Sequence, residues 1–290
     1  MLHAASSTVV WRHWGGDPSS LIGVGILTLA YAAGVRRAWR HAGRDRGMRS
    51  WQVAAGAGGM AVLALALLSP IDVLAESLFA AHMTQHVLLA VVAPPLLVAG
   101  HVDVAVLWLF TPARRRRLTA AVRRRRMLVV AWHFLTRPLP AFAIHGIALW
   151  AWHAPWLYQR ALQQPLVHVL EHASFVGTAC MLWWSILRPQ QSRRAAYAVG
   201  IFALFLTALH SSALGALLTI SQQPWYPAQH ATGLFGLSAI EDQQLAGLIM
   251  WVPAGFLYFG SAAALFALWM REMGRQPDLV HASAAGTQRR

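Results

Sequence analysis

SLFAAHMTQHVLLAVVAPPLLV, residues Ser77–Val98, contains no arginine, lysine, aspartate or glutamate in 22 positions. About 20 apolar residues cross the hydrocarbon core of a bilayer as a helix. A spanning segment must satisfy its own backbone hydrogen bonds, so it is a helix or part of a closed barrel. The alternating segments of about ten residues that mark a barrel are absent. Working outward, six more stretches qualify: Ser20–Ala38, Trp51–Leu68, Leu139–Leu157, Leu166–Leu187, Ala195–Ile220 and Leu245–Met270. The expectation is an all-α polytopic membrane protein of seven transmembrane helices. Composition agrees: 57% of residues are hydrophobic, 12% are charged, and mean hydropathy is +0.46. A soluble domain carries about 25% charged residues. The 290 residues leave no length for a separate soluble domain. Cys180 is the single cysteine, so no intrachain disulfide forms. The first twenty residues hold Arg12 and Asp17 and no long apolar run, so no cleavable signal peptide is expected.

All 24 basic residues are arginine, and 22 of them fall on one side of the bilayer if the spans alternate. They lie in Arg36–Arg49, in the loop 100–138, in Arg188–Arg194 and after Met270, which makes that side cytoplasmic. The N-terminus is then outside and the C-terminus cytoplasmic. The expected organisation is a short periplasmic N-terminus (1–19), a membrane domain (20–271) with an arginine-rich cytoplasmic loop (100–138), and a disordered cytoplasmic tail (272–290). The net charge of +14 reflects topology, and no nucleic-acid partner is expected. Within the loop, Val102–Phe110 and Met127–Leu135 are too short to span. Arg114–Arg117 and Arg123–Arg126 lie between them. That pattern suits an anchor on anionic membrane lipid, or a docking surface for a partner's cytoplasmic end. Pro94-Pro95 should kink or end the third helix. Gly56, Gly58 and Gly59 predict close helix packing. Trp150, Trp152 and Trp156, with Trp183 and Trp184, read as interfacial anchors.

The histidines carry the functional signal. His82 and His86 lie four apart on the third span, and His168 and His172 four apart on the fifth. Residues at that spacing share a helix face. His153 closes the fourth span, and all five fall in the outer half. A lone histidine at this depth reads as an interfacial residue bonded to backbone or water. Two pairs and a fifth read better as a metal site, suited to copper, zinc, iron or nickel. Met83 would add a soft ligand favouring Cu(I). Glu171 points about 100° from His172 on a helix, where it could accept from a ligand histidine or pair with Arg160, and it is a secondary metal candidate. Asp242 reads equally as a cap of the seventh helix or as a carboxylate that binds metal or orients a histidine. His145 and His210 lie deeper and read as buried hydrogen-bonding groups, with His210 a secondary candidate. Cys180 reads as packing.

Four blocks then resemble the multi-spanning CtaG-like family of cytochrome c oxidase assembly factors, over roughly Trp51–Met270. They are His82-Met83-Thr84-Gln85-His86 with Ala93-Pro94-Pro95-Leu96-Leu97; Trp152-His153-Ala154-Pro155-Trp156-Leu157-Tyr158; His168 with Leu170-Glu171-His172-Ala173-Ser174-Phe175; and Glu241-Asp242-Gln243-Gln244-Leu245-Ala246-Gly247. The resemblance implies a non-enzymatic factor in haem-copper oxidase maturation. It would bind or pass copper, with oxidase subunits or other copper chaperones as partners. Two readings compete: a haem-binding electron carrier, and a copper or proton-coupled transporter using His210, His145, Met60 and Met250 as steps.

Overall fold

The computed structural model describes residues 14, 16–188, 193–226 and 234–287. Among them there is no strand. The helices are α1 (Pro18–Ala42), α2 (Ser50–Leu68), α3 (Pro70–Ala75), α4 (Phe79–Val87), α5 (Ala93–Ala99), α6 (Val102–Trp108), α7 (Pro112–Arg124), α8 (Arg126–Leu135), α9 (Pro138–Trp152), α10 (Pro155–Gln163), α11 (Pro165–Leu187), α12 (Arg193–Ile220) and α13 (Ala239–Thr287). Six helices are long and apolar enough to cross a membrane, with α4 and α5 counted as one. The chain is therefore a multi-pass membrane protein. A seventh crossing depends on α9, which meets α8 at a bend of 77°.

The third span shows how the chain absorbs its prolines. Pro94 and Pro95 neither end nor break it. A π-helical turn, Leu88–Val92, joins α4 to α5, and the Ala93 N–H bonds the Leu88 carbonyl. The widened turn removes the need for the N–H groups that two prolines lack. The span is thus continuous from Phe79 to Ala99.

The fourth span is shorter than its hydropathy suggests. Helix α9 stops at Trp152 instead of running to Leu157. Ala154 precedes Pro155 and adopts φ −67°, ψ 128°, because a proline ring disfavours the α conformation in the residue before it. Fifteen residues of helix reach about 22 Å, and His153 sits at the helix end as its C-cap.

Two buried clusters form. One gathers α1, α2, α5 and α6 around Tyr31, Met60, Leu63 and Leu97. The other gathers α4, α9, α11, α12 and α13 around Phe79, Phe175, Leu204 and Tyr258. Large apolar side chains such as Ile26, Leu29, Ile147, Phe202 and Phe256 point outward, as lipid contact requires. Small residues allow the close approaches. A Cβ on Gly100 would collide with the backbone of Gly56, and the Tyr31 hydroxyl donates to the Gly100 carbonyl at 3.0 Å. Trp183, expected at the interface, is instead buried, stacked 6.3 Å from Tyr258. Helix α13 carries helical backbone through most of the stretch expected to form a tail, as far as Thr287.

Candidate metal centre

The site is built where α4 faces α11. His82 and His86 project from α4, Glu171 and His172 from α11. One ligand atom from each of the four lies within 4.8 Å of all the others. His82, His86 and Glu171 are buried at 1%, 5% and 0% exposure. The rings crowd together: His82 and His86 centroids are 4.3 Å apart, and His86 and His172 are 5.5 Å apart. His86 Nε2 approaches Glu171 Oε1 at 3.6 Å, too far for a hydrogen bond.

The decisive feature is what these groups lack. His82 Nε2, both nitrogens of His86, both oxygens of Glu171 and His172 Nε2 meet no hydrogen-bond partner in the protein. Each such buried orphan costs about 1–3 kcal/mol. One would be an oddity; four residues that each bring one such atom within 4.8 Å of the others form a set of ligand atoms. The His82 ring also bonds the Ala75 backbone, which fixes the ring with Nε2 facing the cluster. Metal-bound histidines are commonly oriented in this way. The cluster is a buried His/His/Glu/His site capable of holding a metal ion, and its donor set is consistent with copper.

A family model described as the cytochrome c oxidase caa3 assembly factor matches residues 29–272. The chain belongs to this caa3 assembly factor family. No curated protein and no solved structure matches it.

The other predicted residues of this caa3-family chain fall around the cluster. His168 lies one turn outward, its ring stacked on His82 at 5.6 Å and 4.2 Å from His172, with Nε2 unpartnered. His153 bonds the Leu149 carbonyl through Nδ1 at 2.7 Å. That leaves its buried Nε2 free, with the ring 5.9 Å from His86. The Tyr226 hydroxyl donates to the His153 carbonyl at 2.7 Å and so holds this helix end. Met83 is fully buried and packs in the apolar core beside α4's histidines.

Asp242 has a different task. Its two oxygens accept the Phe79 and Ala80 N–H groups at 2.7 and 2.9 Å. It therefore caps α4, three residues before His82, and not its own helix. The start of α13 is capped by Ser238 and Glu241, which bond each other's backbone reciprocally. Gln243 accepts the Trp225 N–H at 2.6 Å and ties the preceding loop to α13. The block Glu241-Asp242-Gln243 thus sets the height of α4 and its histidines.

Deeper in the bundle, His145 bonds the Thr178 hydroxyl at 3.0 Å. His210 packs on Phe142 with both ring nitrogens unpartnered. Below His86 lies a small cavity of about 20 Å³ lined in part by His145, Ser211, Met250 and Tyr258. It has room for about one water. The residue that sequence spacing underrated is Glu171. It lies three positions from His168, and i,i+3 neighbours share a face just as i,i+4 neighbours do.

Proposed function

We propose that this protein holds copper at the outer face of the bacterial inner membrane while an oxidase subunit matures beside it. In this reading His82, His86, Glu171 and His172 hold the ion, and His153 and His168 flank it as alternative nitrogens during transfer. The observation that carries it is the convergence of unpartnered buried donors on one point. Four donors around one centre suit a single ion, whereas a haem needs an axial pair. The set has three imidazoles and one carboxylate and no sulfur, which favours Cu(II) over Cu(I). The cavity below His86 reaches His145 and Met250 but has room for about one water, so the reading is a holding site rather than an open transport path.

The same proposal has seven crossings, the fourth made by α9 with α8 lying at the inner surface. The N-terminus is outside and the C-terminus cytoplasmic. Two contacts support the alternation. Arg188 and Asp103 meet at 2.8 Å, so the ends of the third and fifth spans share a level. His82 and His168 meet at the opposite ends of the same spans. A reporter fused after Arg117 should read cytoplasmic, and one after Gln164 periplasmic; the reverse would overturn the orientation.

Metal content tests the site. Purified full-length protein should bind copper, with the Cu(II) signal in electron paramagnetic resonance showing nitrogen coupling. The double variants His82→Ala/His86→Ala and His168→Ala/His172→Ala should lose it by more than the ~100-fold typical of an outer-sphere change. Unchanged stoichiometry in both would make the cluster structural. In cells lacking the protein, the oxidase should keep its haem and lack copper. A full copper complement with missing haem would defeat the copper assignment.

A further inference from the structure

The metal centre has an antechamber whose chemistry differs from the rest of the protein. A cavity of about 640 Å³ lies between the start of α1, the α3 turn and the α10–α11 junction. Its inner wall includes His82 and His172, and its remaining charged wall is Asp17, Asp72 and Glu76. Three of the chain's ten acidic residues therefore face one space, and among the described residues no arginine lines it, although the chain has 24.

Two of these carboxylates, Asp17 and Asp72, are fixed in place. Asp17 caps α1, with Oδ1 accepting the Ser19 N–H at 2.7 Å and Oδ2 the Ser20 hydroxyl at 2.6 Å. Asp72 accepts from the Gln85 side-chain amide at 2.7 Å, and the same nitrogen bonds the Ala66 carbonyl at 2.9 Å. Gln85 is fully buried and sits on α4 between His82 and His86. One side chain thus links the acidic wall to the histidine helix. Burial raises the Asp72 carboxyl above its ordinary range, and the charges of Asp17 and Glu76 raise it further. Such mutual repulsion is relieved by a cation. Independently of the acids, three imidazoles line this space, those of His82, His168 and His172, and each carries an unpartnered Nε2.

We propose that this acidic antechamber is the loading mouth of the metal centre, collecting a hydrated divalent cation from the outer side and passing it to His82 and His172. The inference rests on the copper-holding reading above and adds the direction and the route. Carboxylates at the mouth concentrate the ion by their field and bind it weakly. The neutral imidazoles inside replace its water ligands, and the waters return to the antechamber. Clefts lined by one sign of charge raise capture rates by about 10–10³. Charges at a rim act mainly on association, and buried partners mainly on dissociation.

The test is stopped-flow uptake of Cu(II) by full-length protein in nanodiscs, read by tryptophan quenching. The triple variant Asp17→Asn/Asp72→Asn/Glu76→Gln keeps one acceptor oxygen on each side chain and removes the charge. Its association rate should fall about tenfold or more at low ionic strength, with the dissociation rate unchanged. The difference should shrink as salt rises. Glu272→Gln, at the far end of α13, should leave uptake as in the wild type. Equal rates in the triple variant and the wild type, or a deficit that salt does not diminish, would overturn the mouth while leaving the metal centre intact. A wild type that takes up no copper would remove the copper-holding reading and this inference with it.

Discussion

The two ends of the third and fifth spans treat polar groups in opposite ways. At one end, Arg188 meets Asp103 through both terminal nitrogens at 2.8 Å, bonds the Val98 carbonyl at 3.2 Å and covers the Trp184 ring at 4.0 Å. At the other end, His82, His86, Glu171 and His172 gather as closely, yet their facing atoms have no partners. The first arrangement pairs both terminal guanidinium nitrogens and both carboxylate oxygens within the protein and ties the ends of two spans together. The second is complete only with a ligand. Buried polar groups of the first kind maintain a fold, and those of the second kind lower its stability to preserve a function. Asp242 belongs to the first kind although it stands beside the cluster, because its oxygens are occupied by Phe79 and Ala80.

That division predicts an order of effects. Asp242→Ala should be the most damaging single change, because it removes two charge-assisted bonds and leaves two buried N–H groups bare. A loss of about 3 kcal/mol is expected, with copper affinity falling as α4 loses its height. Asp242→Asn keeps one acceptor and should recover much of the stability. If thermal unfolding in detergent shows both variants at wild-type stability, Asp242 is not the cap of α4. Arg188→Ala comes next. The pair is partly exposed, with side chains at 19% and 37%, so the loss should be about 2 kcal/mol, below the 3–5 typical of a fully buried pair. Copper binding should persist, since the cluster lies at the other end of the spans.

Glu171→Leu should act in the reverse sense. It removes an unsatisfied buried carboxylate of nearly the same volume. Without metal, the variant should be more stable than the wild type by about 1–2 kcal/mol, while copper retention falls. A destabilised metal-free Glu171→Leu would place Glu171 with Asp242 among the structural groups and break the contrast.

Much of this contrast was legible in the chain, and the remainder has identifiable causes. Spacing of four revealed both histidine pairs, because a helix face is a local property. The arginine distribution is equally local, and the orientation it implies is what the reporter fusions test. The cap on α4 spans 163 positions of sequence and the Arg188–Asp103 pair 85, and no local pattern announces such a contact. Glu171 shares a face with His168 at i+3, but its meeting with His82 and His86 is tertiary packing that no local spacing announces. His153 was placed on a continuous span, although Ala154-Pro155 already forbade that continuation. Trp183 was read as interfacial from residue type, whereas packing against Tyr258 decided its place.

The smallest effect concerns Asp17, where structure and the proposed loading mouth share one residue. Burial tends to raise its pKa, but hydrogen bonds from the Ser19 and Ser20 hydroxyls and N–H groups outweigh it and hold the carboxyl down at about 2. The ionised form is thus favoured by the fold. A folded-state pKa below the ordinary 3.8 contributes stability that is present above pH 3.8 and lost as pH falls through about 2. Because Asp17 is exposed, the contribution is screened by water and should stay below about 1 kcal/mol. Amide exchange over Ser19–Leu21, corrected for intrinsic rate, should show the wild type better protected than Asp17→Ala at pH 5, and the two should converge as pH approaches 2. Asp17→Asn should be intermediate at pH 5, since it caps without charge, and flat with pH. That variant separates the two roles: it keeps most of the protection of α1 while losing its share of the charge that draws the cation in. A wild type whose protection does not change between pH 5 and 2 would show that the cap works through hydrogen-bond geometry alone, with no contribution from ionisation.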